Sequence, residues 1–469
     1  MKNGWLAITM GLLFLSCTQP KGRGEGNRNG FTGKEGEIKL IVLAPGHFHA
    51  SLLQKNPLPQ VSDSVFVYAL SPDDAGLRQY LSAIESLNSR TENPASWKEV
   101  IYTGADFVDK MVADKKGNVV VLAGNNRDKT ELIHKAVSAG LNVLSDKPMA
   151  ISQADFALLE DAYVIAETNH VLLYDMMTER YDLLNRVERE LIHDPDFFGE
   201  LIAGTPDQPA AYMESIHHFY KEVSGVPLLR PGWYYDVEQQ GEGIADVTTH
   251  LIDLLFWKCF PDQAIDYKND IGEISSTHWP TEISLQQFTK STGETAFPDY
   301  LRKYIDHAVL NVYANGSIHF EVKGHAVEIK VIWNYQAPEG GGDASFSTLN
   351  GTKAILKTIQ NKDQSFVKQL YVQAAKGVSK KTFEANLQKA IAKIQLSYPY
   401  VSYMLTSDQG EYLINIPAEH RTAHESHFKN VAESYFSCLV NRNMPEWEVP
   451  NTIAKYYITT KAREIAQSE

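Results

Sequence analysis

Cysteine is scarce in this chain. Three residues in 469 exclude a disulfide scaffold. Cys259 and Cys438, neither at metal-ligand spacing, are either paired with each other or free. Positive charge is also in short supply: 44 Lys and Arg stand against 58 Asp and Glu, a formal net charge of -14. With no basic stripe interleaved with aromatics, that balance repels a phosphate backbone and excludes nucleic acid as a partner. No apolar run reaches the roughly 20 residues needed to span a bilayer, and no internal repeat points to a solenoid. What is present is ordinary globular composition, 43% hydrophobic and 22% charged. The length exceeds what one hydrophobic core supports, so two or three domains are expected.

Residues 1–17 have their own grammar: Lys2 in a short basic start, an apolar run from Trp5 to Leu15, then Ser16-Cys17. This reads as a signal peptide. Phe14-Leu15-Ser16-Cys17 resembles a bacterial lipobox, which implies lipidation at Cys17. The protein is therefore expected to be exported and lipid-anchored on the periplasmic face of the envelope, with no other membrane contact. Residues 18–36, with Gly22, Gly24, Gly26, Gly30, Gly33 and Gly36 among charges, read as a flexible tether.

From Ile38 onward, apolar runs alternate with amphipathic segments. Ile38–Leu43, Val65–Leu70, Val119–Leu122, Asn142–Leu144 and Val171–Tyr174 read as strands, and Leu77–Leu87 and Leu132–Ala139 as helices between them. The alternation predicts an α/β Rossmann domain, a doubly wound parallel sheet, over residues 37–175. Residues 176–469 predict an α+β domain with a large open, mainly antiparallel sheet, in which Asn315-Gly316 and Lys323-Gly324 act as turns. Residues 361–420 read as an addition to it. Two helices, broken near Asn443-Met444-Pro445, end the chain.

The first strand-to-helix turn, Ala44-Pro45-Gly46-His47-Phe48-His49, sits where a dinucleotide fold places G-x-G-x-x-G, and only Gly46 survives. His47 and His49 are read as phosphate or nicotinamide contacts. A metal-ligand pair is the alternative, although no third ligand lies nearby in sequence; simple helix-capping histidines are another. After the second strand comes Ser71-Pro72-Asp73-Asp74, which places Ser71 at the cofactor and leaves NAD versus NADP open.

Two further motifs carry most of the argument. Val119–Asn126 leads through a helix to Ala139-Gly140 and then to Asp146-Lys147-Pro148, which puts a lysine at the carboxyl end of a strand, where ligands of parallel sheets bind. Gly241-Glu242-Gly243 precedes Asp246, His250 and Asp253. On a helix, residues four apart share a face, so Asp246 and His250 project together from an otherwise apolar segment. These stretches resemble the glucose-fructose oxidoreductase / inositol dehydrogenase / MocA family, with its strand ending in Glu-Lys-Pro and its Asp-x-x-x-His-x-x-Asp helix. Asp146 replaces the Glu, Gly124-Asn125 replaces Thr-Pro before Asn126, and Glu242 interrupts the glycine run.

The resemblance implies an NAD(P)-dependent dehydrogenase acting on a CH-OH group of a sugar or glycoside, C3 of a glycoside being one option, with NAD or NADP held tightly. Lys147, Asp246 and His250 are the implied catalytic residues. His250 would be the general base, Lys147 would polarise the oxygen, and Asp246 would hold the imidazole or a neighbouring hydroxyl. Gly46, His47, His49, Ser71, Asn125, Asn126, Asp146 and Lys147 are the cofactor candidates. His217, His218, Trp233, Tyr235 and Gln240 form an aromatic and hydrogen-bonding neighbourhood suited to a sugar ring. No metal is called for. The expected partner is a small carbohydrate, and the open sheet predicts a homo-oligomer. Two rival readings remain: an NAD-dependent glycosidase acting by transient oxidation, and a sugar-binding lipoprotein that kept the fold without the catalysis.

Overall fold

The unbroken apolar runs of the N-terminal half become strands buried on both faces, as runs without alternation must. The computed structural model describes residues 30–223, 226–406, 410–422 and 424–468; the signal peptide, Cys17 and residues 18–29 of the tether lie outside them. β1 (Leu40–Leu43), β2 (Ser64–Ala69), β3 (Lys98–Thr103), β4 (Val119–Leu122), β5 (Asn142–Ser145) and β6 (Leu173–Asp175) form one sheet in the order β3-β2-β1-β4-β5-β6. Every pairing is parallel. This is the dinucleotide-binding order, with a crevice outside the carboxyl ends of β1 and β4, where the strand order reverses. The intervening helices include α1 (Ala75–Ser89), α2 (Lys129–Ser138) and α3 (Gln153–Thr168). Asp74 and Ser152 cap α1 and α3, accepting from the backbone N–H of Leu77 at 2.8 Å and of Asp155 at 3.1 Å.

The second half builds a ten-stranded sheet. Its main strands are β7 (Ala211–Tyr220), β8 (Ser275–Ser284), β9 (Val309–Val322), β10 (His325–Gln336), β11 (Ala344–Asn350), β12 (Ala354–Gln360), β13 (Gln369–Ala374), β14 (Ser402–Leu405) and β15 (Glu411–Asn415). Their order is β8-β9-β10-β7-β11-β12-β13-β15-β14, with a short strand, Ile305–Asp306, beside β9. Only β10 and β7 pair in parallel. Helices α4 (Leu183–Ile192), α5 (Glu242–Asp246), α6 (Thr248–Cys259) and α7 (Lys380–Ile394) contribute to the core, where Val187, Leu191, Ile252 and Leu387 join Ile318, Ile329 and Leu356 of the sheet. Among the described residues, no helix is long and apolar enough to cross a membrane.

Two expectations need correction, the end of the tether and the Asn315-Gly316 turn. Phe31–Gly36 is not tether: Phe31 packs on the core, and the Glu37 carboxylate accepts from the backbone N–H groups of Thr32, Gly33 and Lys34 at 2.8–3.2 Å. Asn315-Gly316 is not a turn, because β9 runs straight through it. A Cβ on Gly316 would meet Ile244 of α5 at 2.4 Å, so close approach of the helix accounts for this glycine. Residues 361–420 carry β13, β14, β15 and α7, the strands of which extend the sheet. Cys259 and Cys438 are unpaired.

The chain also returns to its start. α8 (His424–Asn441) places Phe428, Val431 and Tyr435 against Val42, Val65 and Val121 on one face of the parallel sheet. α9 (Glu448–Ser468) brings Tyr456 to Ile41, Val120 and Val143 on the other. The nucleotide-type domain is therefore completed by the last segments of the sequence, and Phe31–Glu469 forms one compact unit.

Candidate active site

At the switch point, the loops after β1 and β4 lie against each other. Gly46 and His47 both donate their backbone N–H to the Ala123 carbonyl, at 3.0 and 3.1 Å. A Cβ on Gly124 would fall 2.4 Å from the Ala44 carbonyl oxygen, and one on Gly76 would fall 2.3 Å from that of Pro45. Ala44 itself holds φ +47, the left-handed conformation that the missing first glycine would adopt freely. The loops and α1 border a cleft of about 700 Å³ whose wall includes Gly46, Leu70, Asp74, Asn125, Arg230 and Trp233.

The structure distributes the sequence-derived cofactor residues unevenly. Gly46 and Asn125 line this cleft. Ser71 serves its own turn, its hydroxyl accepting from the Asp73 backbone N–H at 3.2 Å. Asn126 is buried and structural: its amide donates to the Gln240 carbonyl at 2.8 Å, and its oxygen accepts from Lys129 at 2.9 Å. Lys129, which sequence reasoning passed over, is buried at the foot of the site and also donates to the Asp146 carbonyl at 3.1 Å. Burial pushes its ammonium pKa down, and Asp146 offsets only part of that. Asp146 is 3% exposed and receives His47 Nδ1 at 3.0 Å on one oxygen and His49 Nδ1 at 3.1 Å on the other. These three are spatial neighbours, although 99 positions separate His47 from Asp146.

Beyond β5, Lys147 reaches across to the second half of the chain. Its Nζ lies 2.5 Å from Asp246 Oδ1 and 3.3 Å from the Asp246 carbonyl. Asp246 ends α5, and His250 lies one turn further, on α6. The two helices meet at Val247, whose own backbone is helical (φ -80, ψ -39), so the four-residue spacing survives the junction. A Cβ on Gly243 would lie 2.0 Å from the Ala314 carbonyl oxygen, which is why α5 can lie directly on β9. The other carboxylate oxygen of Asp246 accepts from Gln240 Nε2 at 2.7 Å and from the Tyr234 hydroxyl at 3.5 Å. Burial raises the Asp246 pKa, but Lys147, with His47 and His217 nearby, more than offsets it, so the carboxyl is held below its ordinary range. Burial and the Asp246 charge push the Tyr234 phenol up.

The proposed sugar neighbourhood is only partly where it was expected. His217 stacks on Trp333 with centroids 4.9 Å apart and retains partial exposure. Trp233 belongs to the wall of the nucleotide cleft. Gln240 is buried on Asp246 and serves it. Tyr235 must be withdrawn: it is 0% exposed, its hydroxyl bonded to Ser291 at 2.5 Å in an apolar cluster with Phe219 and Phe288. His218 is 4% exposed, and it and His217 each place Nδ1 3.3 Å from Asp343, which Lys221 also contacts. Those partners outweigh burial and hold the Asp343 carboxyl well below its usual range. Asp343, Trp333 and Arg230, whose guanidinium lies 4.6 Å from the Tyr234 ring centroid and 5.0 Å from that of Trp333, were not singled out by sequence. No linear motif joins them; Asp343 follows a glycine run that reads only as a loop.

Glu242, the departure from the glycine run, has a structural explanation. It holds φ +62 and is 1% exposed. Its oxygens meet His278 Nδ1 at 2.9 Å, Gln467 Nε2 at 2.6 Å and Arg463 Nε at 3.3 Å. It fastens the turn before the site to β8 and α9.

The family described as "Putative oxidoreductase C terminal domain" matches residues 187–467. The chain is similar to a putative oxidoreductase from Parabacteroides merdae ATCC 43184, with 47% identity and a TM-score of 0.91 over 94% of this chain and 100% of that one. Its fold is also that of the WlbA dehydrogenase from Bordetella pertussis, solved with NADH and UDP-GlcNAcA: TM-score 0.53 and 13% identity over 93% of this chain and 97% of that one. GenD2 from gentamicin A biosynthesis, solved with NAD, gives a TM-score of 0.55 at 14% identity over 95% and 97% of the respective chains. No curated protein matches the sequence.

Proposed function

The chain belongs to this oxidoreductase family, of the glucose-fructose oxidoreductase / inositol dehydrogenase type, and from that premise we propose that it interconverts a ring hydroxyl of a sugar or glycoside and the corresponding ketone, C3 of a glycoside being one option. The observation that carries this reading is the Lys147–Asp246 contact of 2.5 Å at the carboxyl end of β5, next to the cleft over β1 and β4 through Lys129, which lines that cleft and donates to the Lys147 carbonyl at 3.4 Å. The cleft suits a dinucleotide: its loops approach closely through Gly46, Gly76 and Gly124, and its volume is open at the switch point. Asp74, on the β2 side of the cleft, favours NAD over NADP, since a carboxylate there repels a 2′-phosphate.

A nicotinamide bound there supplies the hydride acceptor or donor. The chain's residues do the rest. His250 takes the hydroxyl proton as general base. Lys147 orients and polarises the same oxygen. Asp246 holds Lys147, and is itself held by Gln240 and Tyr234. His217 and Trp333 offer a stacked surface to a sugar ring.

Denaturing the purified protein should release NAD(H) or NADP(H), and single-turnover mixing with glycosides and free sugars should change the cofactor absorbance. No released nucleotide, together with no dinucleotide binding by calorimetry, would overturn this reading in favour of a sugar-binding protein. Free sugar formed by the enzyme alone would favour the glycosidase mechanism.

Export and lipid anchoring at Cys17 belong to the same proposal, as does association through the open sheet. Cys17→Ala should release the protein from membranes or block its maturation; a processed variant that stays in the membrane fraction would overturn the anchor.

A further inference from the structure

The His47–His49–Asp146 cluster is larger than a cofactor contact requires. One nitrogen from each imidazole and one carboxylate oxygen, all within 4.8 Å of one another, are gathered at one point. His47 Nδ1 and His49 Nδ1 sit 3.0 and 3.1 Å from the two oxygens of Asp146, and their ring centroids are 4.0 Å apart at 78°. Ligand atoms about 2.1 Å from a tetrahedral ion stand about 3.4 Å apart; the two nitrogen–oxygen separations are close to that spacing, and the three-atom set has to contract from at most 4.8 Å to share one ion.

The surroundings hold that geometry. Asp146 is fixed from behind by its own N–H on the Leu122 carbonyl at 2.7 Å and by Lys129 on its carbonyl at 3.1 Å. The His49 ring rests on Phe428, 4.6 Å between centroids, and on Phe48, 4.4 Å. The two histidines follow β1 and the acid follows β5, two strands away across β4, so both supports leave the same end of the parallel sheet.

We infer that His47, His49 and Asp146 form a binding site for one divalent transition-metal ion of the zinc class. Two imidazoles and one carboxylate are a ligand set that calcium and magnesium, which take oxygen, do not use. Three protein ligands leave a coordination position for an oxygen donor, as catalytic rather than structural zinc sites do. That position opens on the His47 side: its side chain is 31% exposed, against 10% for His49 and 4% for Asp146. With an ion bound, a water or another oxygen donor would fill it.

The inference does not depend on the dehydrogenase reading, and one preparation separates the two. Full-length, untagged protein purified without chelators is assayed for metal by plasma mass spectrometry. It is then stripped with EDTA and titrated with Zn²⁺ against a chromophoric chelator, while nucleotide released on denaturation is measured on the same sample. The expected result is about one equivalent of zinc bound at sub-micromolar affinity, with a rise in melting temperature on zinc addition. His49→Ala and Asp146→Asn should each weaken binding about a hundredfold, and His134→Ala, a part-exposed histidine paired with Asp161 at 2.8 Å, should not. Co²⁺ added to stripped wild-type protein should give visible ligand-field absorption, a readout that needs no variant to fold. Zinc held no tighter than about 10 µM, or held equally by the His47→Ala/His49→Ala double variant, would overturn the site and leave two histidine–carboxylate pairs. Nucleotide release with no zinc binding would sink the metal site alone; zinc binding with neither released nucleotide nor dinucleotide binding by calorimetry would sink the dehydrogenase alone.

Discussion

Two clusters of charge stand close together in the chain, and they differ in what water can reach. Around Asp253, one turn after His250, Arg180 forms a two-pronged pair at 2.6 and 2.7 Å and also meets Glu448 at 2.8 and 2.9 Å. Lys455 bridges Asp253 at 3.2 Å and Asp175 at 2.9 Å, and Tyr456 donates to Asp175 at 2.8 Å. Every member is buried. Around Asp246, by contrast, Lys147 is the cation in direct contact, and the neighbourhood includes the part-exposed His217, with the part-exposed His250 four residues on. The first cluster joins β6, α6 and α9 and sets every charge it holds against an opposite one; the second is supported on one side and faces the crevice. The same residue types are enclosed and fully paired in one place and reachable from the crevice in the other.

The sharpest way to break the comparison is to remove a cation from each cluster. Lys455→Met leaves two buried carboxylates without that partner and should cost about 3–5 kcal/mol of unfolding free energy, read as a lowered urea midpoint, with the rate per folded molecule little changed. The acid response should differ too. Burial raises the Asp253 pKa, but Arg180 and Lys455 pull it further down, so its folded value lies below the unfolded one. Such a carboxylate contributes stability that is complete above about pH 4 and is lost as pH falls through the folded value. Asp253→Asn should therefore flatten the acid limb of the stability profile as well as lower its plateau, and an unchanged limb would contradict the ion-pair account.

In the open cluster the loss should fall on rate. Lys147→Ala and His250→Ala should each reduce the single-turnover rate by about a hundredfold or more while dinucleotide release persists. Full activity in either variant would remove that residue from the mechanism.

A smaller effect separates two adjacent tyrosines. Tyr234→Phe removes a 3.5 Å contact to Asp246 and should slow turnover by less than about tenfold. Tyr235→Phe should leave turnover unchanged and cost about 1 kcal/mol of stability through the lost Ser291 bond. The reverse pattern would mean that the fully buried ring, not its part-exposed neighbour, serves the substrate.

The sequence made the parallel sheet readable because strands such as Val119–Leu122 are short, wholly apolar and separated by helical patterns. β3 escaped: Lys98-Glu-Val-Ile-Tyr-Thr is an edge strand with Val100 and Ile101 each 46% exposed, so the apolar signal is diluted. Lys147, Asp246 and His250 were visible because two linear motifs carry them. Asp343 and Trp333 were not, since they meet His217 only through cross-strand neighbours of β7. Asn315-Gly316 misled because its dipeptide is a common turn, whereas the packing of Ile244 of α5 decides what that glycine does. Glu242 looked like damage to a motif and is a buried fastening point. In each case the deciding partner comes from a distant part of the chain.

The return of α8 and α9 to the first sheet sets an order of events during synthesis. Val42, Val65 and Val121 leave the ribosome hundreds of residues before Phe428 and Tyr435, which cover them, and Asp175 waits as long for Lys455. The nucleotide-type domain cannot close behind the ribosome as an independent N-terminal module. It stays uncovered until nearly the whole chain has been made.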